Sequence, residues 1–373
     1  MAMNSTRTVI TGMGAVTSVG PSASPACAAI LAGISRPRQV TWFKVLDEEA
    51  HALVPLVGHP IQGYTEGFVG EGRWLRLALG CVLDLLEHPE VPTSSDREFW
   101  ERTGLLVATP CPLGEQRALE FPSGLELARK LRSAARLPLD ERGLGTVSFG
   151  HTGAAAAIQR GLELLASSRL ERLLIVAADS YLDLDVLEEL ADGRRLKTDE
   201  APLGLMPGEA GACFLLELEA SARRRKATAL ATVSGVATGR EANHRQARGQ
   251  NTGTGLAHCV REALAPTHAS SRFEGTCFLD LNGEHWRANE WGCARVRLTD
   301  LLGEPELRYP CTYVGDTGAA SGAVGVCLAL HALTRGFAAR GEALVLSSSE
   351  QGEVGSILLG ASTPMRTPIS SKG

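Results

Sequence analysis

Apolar runs alternate with helix-period stretches along the chain. That order predicts an α/β fold whose sheets are largely buried. "RTVITGMGAV" (7–16) reads as a strand ending in a glycine turn. "PACAAILAG" (25–33) reads as a short helix, and "RWLRLALGCVLDLLEH" (73–88) as a longer amphipathic one. "TGLLVAT" (103–109) is a strand, and 112–145 is a less regular stretch of loop and helix. At 147–165 the chain reads "VSFGHTGAAAAIQRGLELL": a strand-like run breaks at Gly150 and an Ala-rich helix opens at His151. A buried strand "RLLIVAADS" (172–180), a short helix "VLEELADG" (186–193) and a strand "GACFLLELE" (211–219) follow.

After a basic surface turn, "ASARRRKATA" (220–229), the pattern repeats. "TALATVSGVATG" is a strand, "GTGLAHCVREALA" a helix, and "GTCFLDLNG" a strand running into a polar loop. "GDTGAASGAVGVCLALHALTRG" (315–336) is a second small-residue helix, predicted to open at Asp316 after Gly315 as the first opens after Gly150. "EALVLSSS" and "GSILLGA" close the chain as a strand pair. Two Ala/Gly helices, one per half, can approach closely between two sheets. The tail "STPMRTPISSKG" (362–373) is polar and expected to be disordered.

Composition narrows the classes. The 373 residues are 44% hydrophobic and 5% aromatic, with 41 glycines, which suits a core of small aliphatics. A net charge of −5 lacks the basic face that nucleic-acid binding needs. The nine cysteines form no CxxC pair and read as small buried side chains in a reducing cytosol. No apolar run reaches the roughly 18 residues of a membrane span, and no signal peptide is read at the N-terminus, so a soluble cytoplasmic protein is expected. "TGMGAV" (11–16) lacks the spacing of a dinucleotide fingerprint. Glu284 and His285 are neighbours, but without a third ligand they read as a polar loop. Neither a cofactor nor a metal is expected.

Four segments carry a resemblance to a known family. "RTVITGMGAVTSVG" (7–20) is similar to the opening of the β-ketoacyl synthases, and "PGEAGACFLLE" (207–217) to their Gly-Glu-Gly-Ala-Gly turn. "LDLNGEHWRANE" (279–290) is similar to their Asn-Ala-His-Gly-Thr loop, and "GDTGAASGAVGV" (315–326) to their Gly-His-x-x-Gly-Ala-Ala-Gly helix start. The resemblance implies the thiolase-like fold: two pseudo-duplicated βαβαβαββ halves in five α/β layers, here 1–225 and 226–373. It implies a catalytic cysteine at a helix N-terminus and two histidines. Carried over by position, these fall on His151, Asn282 and Asp316. Glu290 stands where the family has an acidic residue, and Cys311 replaces a lysine. "SSSEQGEVGS" (347–356) replaces a glycine loop with a gating phenylalanine. The scaffold is kept while the triad is not.

Three readings follow. The first is a non-catalytic, chain-length-factor-like homologue that pairs with an active ketosynthase, meets an acyl carrier protein and shapes an acyl tunnel. It belongs to fatty-acid or polyketide-type biosynthesis, and its dimer, with that ketosynthase or a second copy, joins through an edge strand, taken as "TGLLVAT". The second is a diverged acyltransferase or hydrolytic enzyme. In it His151 is the base, Asp316 orients it, Asn282 is an oxyanion donor and Ser148 a nucleophile. Asp316 also reads as a plain helix cap. The third is an interaction module without an acyl ligand. A cavity kept at His151 favours the first two.

Overall fold

A computed structural model describes residues 7–47, 51–111, 124–167, 169–199 and 202–362. The predicted tail from 363 and the stretch 112–123 lie outside them. The first half contributes β1 (Thr8–Thr17), β4 (Thr103–Ala108), β5 (Leu144–Val147), β6 (Arg172–Ser180) and β7 (Glu209–Leu218). Between β1 and β4, β2 (Arg38–Asp47) and β3 (Ala52–Gly58) form a separate hairpin. The second half contributes β8 (Ala231–Arg240), β9 (Thr276–Leu279), β10 (Glu306–Arg308), β11 (Glu342–Ser348) and β12 (Glu353–Ala361).

The duplication is visible in the pairing. Outward from β1 the order is β1-β7-β6-β4-β5, with two antiparallel and then two parallel pairings. Outward from β8 it is β8-β12-β11-β9-β10, with the same sequence of senses. The two runs join where Val9 faces Thr232 and Ile10 faces Ala231. In each run the fourth and fifth strands lead to a small-residue helix, Gly153–Ser167 or Ser321–Thr334.

Those two helices form the middle layer. Ala154, Ala157, Ala323 and Val326 share one core with Ala177 and Phe214 of the first half and Val345 and Ile357 of the second. The alternate strand residues face outward. Leu174, Val176 and Leu215 pack under the helix Gly70–Leu86, and Leu344, Leu346 and Leu358 under the helices Thr254–Leu264 and His285–Arg297. Strands buried on both faces read as unbroken apolar runs, which is why "RLLIVAA" shows no alternation. The layers therefore run helix, sheet, helix pair, sheet, helix. The pair packs tightly because Gly322 has no side chain: a Cβ there would lie 2.8 Å from the carbonyl oxygen of His151.

Two expectations are corrected. "TGLLVAT" is not an edge: β4 is paired to β5 on one side and β6 on the other, and the exposed edge of that run is β5. The basic run is not a simple solvated turn either. Its first residues end a helix, Glu219–Arg224, and Arg225 is half-buried, its guanidinium on the fully buried Glu217 and on the Glu90 carbonyl. The hairpin had no legible pattern: Leu46 and Leu53 are exposed while Val45, Val54 and Leu56 pack inward, so both faces carry apolar residues.

His59, just after β3, is fully buried, and neither ring nitrogen has a hydrogen-bond partner among the described residues. Burial lowers its pKa to about 4. Below about pH 6.5 the unfolded chain takes up a proton that the folded chain refuses. This contribution to stability is therefore complete above pH 6.5 and is lost as pH falls towards 4. Between pH 7 and pH 5 the loss is about 2 kcal/mol. His59→Leu is expected to remove this dependence and to stabilise at pH 7 by about 1–3 kcal/mol, by ending an unsatisfied burial. Urea unfolding at the two pH values checks both.

Candidate functional site

The two middle helices start facing each other, and the candidate residues gather at their starts. Gly150–Thr152 is a single 3-10 turn that runs into the helix Gly153–Ser167 and carries His151, which is 2% exposed. Opposite it, Asp316 precedes the turn Gly318–Ala320 that leads into Ser321–Thr334. His151 Nε2 lies 2.7 Å from Asp316 Oδ1, and Asn282 Nδ2 donates to Asp316 Oδ2 at 2.7 Å. The three positions expected from sequence thus meet in one cluster. Asp316 is not the helix cap itself: Thr317 precedes the 3-10 turn and Ala320 the helix, while the Asp316 carboxylate accepts one bond, from Gly318 N to Oδ1 at 2.9 Å.

Burial alone would raise the Asp316 pKa. His151, the Arg287 guanidinium and the Asn282 amide outweigh it and hold the carboxyl well below the usual carboxylate range. Asp316 is therefore an acceptor, and the proton of that bond sits on His151 Nε2. Nδ1 makes no hydrogen bond among the described residues and is the ring nitrogen left for a ligand.

Asn282 does not serve as an oxyanion donor. Its amide nitrogen donates to Asp316 and, at 2.9 Å, to Glu284, so both protons are taken by carboxylates. Ser148 does not meet His151. It is exposed in the segment ahead of the turn, its Oγ is 2.7 Å from Thr109 Oγ1, and it is not among the cavity-lining residues. Glu290 is buried in the helix His285–Arg297, accepting from Asn251 Nδ2 at 2.9 Å. Burial pushes the Cys311 thiol far up. His285 is exposed, and Glu284 is turned to Arg195 and Asn282 instead. Among the described residues no group of His, Cys, Asp and Glu could hold a metal ion. All nine cysteines are free, most of them buried.

Several residues of the site were not singled out in the sequence. Arg195 grips Glu284 with Nε and Nη2, each at 2.8 Å, and Glu350 with Nη1 and Nη2 at 2.8 and 2.6 Å. Arg287 joins Asp280 Oδ2 at 2.6 Å and the Ser348 carbonyl at 2.6 Å. A charged residue in one loop has no local pattern naming partners 89 and 155 positions away. Asp179 and Tyr181 did carry a signal: they end an apolar buried strand, where α/β folds place ligand groups.

A cavity of about 620 Å³ opens beside His151. Val69, Trp74 and Val186 give it apolar walls; Asp179, Tyr181 and Glu350 give it polar ones. Burial pushes the Asp179 carboxyl up to about 7, against bonds from Ala319 N (2.8 Å) and Ser180 N (2.7 Å). Tyr181 is 6% exposed and packs edge-on to His151 with ring centroids 6.0 Å apart; its hydroxyl has no hydrogen-bond partner among the described residues. Burial raises its pKa well above the phenol value, so it stays a donor. Cys111 also lines the cavity. Burial pushes its thiol up to about 11 and its Sγ points to the Ser148 carbonyl at 3.0 Å, so it carries almost no thiolate at neutral pH.

No family model matches the chain. Over 181 residues, 46% of the chain, it is 34% identical to a protein of Streptomyces halstedii named "Putative polyketide beta-ketoacyl synthase 2"; the match spans 40% of that relative's length. Solved structures align over nearly all of the chain. A chain of a type II PKS acyl-carrier protein in complex with its ketosynthase bound to the hexaketide matches with TM-score 0.76 at 15% identity, covering 96% of this chain and 99% of that one. The ishigamide ketosynthase/chain length factor matches at 0.75 and 17%, with 96% and 99% covered. A beta-ketoacyl synthase from Burkholderia phymatum matches at 0.72 and 18%, with 96% and 100% covered.

Proposed function

We propose, from the premise that this chain is a ketosynthase-like protein with the thiolase-like fold its sequence predicts, that it holds an acyl chain without condensing it. An active ketosynthase in the same assembly forms the carbon–carbon bond, and an acyl carrier protein delivers the chain, in polyketide- or fatty-acid-type biosynthesis. The role is that of a chain-length factor. The observation that carries this reading is the occupant of the helix start: His151, clamped through Nε2 by Asp316, where condensation needs a thiolate. Cys111, the thiol among the described residues that line the cavity, is held protonated and does not replace it.

The open cavity beside His151 supports an acyl ligand over an interaction module. The relatives described with an acyl carrier protein and as a ketosynthase/chain length factor support those partners. The free edge of β5, followed by Phe149 at 41% exposure, is where we place the partner ketosynthase or a second copy. We assign the halves to 1–225 and 226–373, and the cytoplasm as the compartment. Among the described residues no helix is long and apolar enough to cross a membrane.

The purified chain alone, given malonyl- and acyl-loaded carrier protein, is expected to yield no condensation product by mass spectrometry. Turnover in the ordinary enzymatic range of about 1 s⁻¹ or more would overturn the reading. Pull-down of the tagged chain from its own cell is expected to bring a cysteine-bearing ketosynthase with it.

A further inference from the structure

We infer that the cavity beside His151 is a water-dependent thioester-cleaving site, with His151 as general base, Asp316 as its positioning partner and Tyr181 as oxyanion donor. The inference rests on the proposed acyl-holding role for access of substrate to the cavity, and adds an activity to it.

Three observations carry it. His151 is clamped on one side only: Nε2 is on Asp316 at 2.7 Å, and Nδ1 has no partner among the described residues although the side chain is 2% exposed and lines the cavity. Asp316 is itself fixed, by Asn282 Nδ2 at 2.7 Å and Gly318 N at 2.9 Å, so the ring has one orientation and one tautomer. Tyr181 is 6% exposed, lines the same cavity with an unpartnered hydroxyl, and sits edge-on to His151. Two buried side chains on one cavity, each with one polar atom left without a partner among the described residues, fit a ligand that brings both an acceptor and a donor. A thioester carbonyl and a water molecule supply that pair.

The step balances without any other reagent. Water gives a proton to His151 Nδ1 as its oxygen bonds to the thioester carbonyl carbon. The carbonyl oxygen takes the displaced electron pair and accepts a hydrogen bond from the Tyr181 hydroxyl. Collapse of this intermediate breaks the C–S bond, and the leaving sulfur takes the proton from Nδ1. The products are a carboxylic acid and a free thiol.

The test uses the whole chain and a medium-chain acyl N-acetylcysteamine thioester, with the released acid measured by mass spectrometry and binding by equilibrium dialysis. The wild type is expected to cleave it about 10²-fold or more above buffer, the usual contribution of a placed base. His151→Gln is expected to return the rate to background. Tyr181→Phe is expected to lower kcat by about 10²-fold with KM unchanged. Ser148→Ala is expected to leave the rate as it is. Binding without cleavage by the wild type overturns the cleavage and leaves the holding role standing; absence of binding overturns both. Equal cleavage by wild type and His151→Gln assigns the reaction elsewhere and also overturns the inference.

Discussion

Arg195→Leu is expected to be among the most damaging single substitutions in the chain. It should cost about 3–5 kcal/mol, the loss seen when one partner of a buried ion pair is removed. Arg195 is 6% exposed, Glu284 6% and Glu350 5%. Four short bonds from one guanidinium hold the two carboxylates together. Without it, the cations left near the pair among the described residues are Arg245, whose nitrogens lie 3.9 Å from Glu284 and 3.8 Å from Glu350, and Arg287, whose charge also acts on Glu284. Two buried, mutually repelling charges would then sit against the polar wall of the cavity. The effect should reach the site, because Glu284 also accepts from Asn282, which holds Asp316. Urea unfolding is the measurement. The double variant Arg195→Leu/Glu350→Leu is expected to recover part of the loss, since one orphaned charge goes with the cation. A loss under about 1 kcal/mol for Arg195→Leu would mean that water reaches the cluster and screens it.

What the chain discloses about itself follows from the range of each interaction. The alternation of strand and helix, the repeat, and the two small-residue helices were legible because they are set by neighbours in sequence. The positions His151, Asn282 and Asp316 were legible through resemblance, and their meeting agrees with the way both middle helices start at one place. Their roles were not all legible. By position Asn282 is expected to be an oxyanion donor, yet Glu284, two residues on, takes one of its protons. Tyr181 follows the end of an apolar strand, a place that favours ligand groups, but nothing in its neighbours names its role. Its meaning came from a hydroxyl left without a partner. The hairpin leaves no period-2 signal in the sequence because both of its faces carry apolar residues.

Gly318→Ala is expected to be about as costly as Arg195→Leu, and to act on both halves at once. Gly318 has φ +52, a left-handed conformation that costs an alanine about 1 kcal/mol. Space is the larger obstacle: a Cβ would lie 2.0 Å from Asp179 Oδ2 and 2.6 Å from the Tyr181 ring. The carboxylate would have to move, and with it its local bond from Ser180 N and the bond from Ala319 N that ties the end of β6 to the start of the second middle helix. Losing hydrogen bonds to a buried carboxyl adds about 1.5–3 kcal/mol. The displaced group is buried and faces the cavity, so the shift reaches the neighbours that share that wall. Those neighbours are Tyr181, on the cavity wall, and the turn whose Gly318 N–H holds Asp316. The variant should therefore lose stability by about 3–4 kcal/mol in urea and lose acyl-thioester binding as well. Asp179→Ala/Gly318→Ala is expected to relieve the clash and recover binding in part, while keeping the cost of the left-handed backbone. Full stability in Gly318→Ala would show that the turn can shift without moving Asp179. The two middle helices would then not be locked to the ends of the first-half strands through Asp179, and the placement of Asp316 against His151 would rest on Asn282 and on its backbone bonds to Met206 and Gly208.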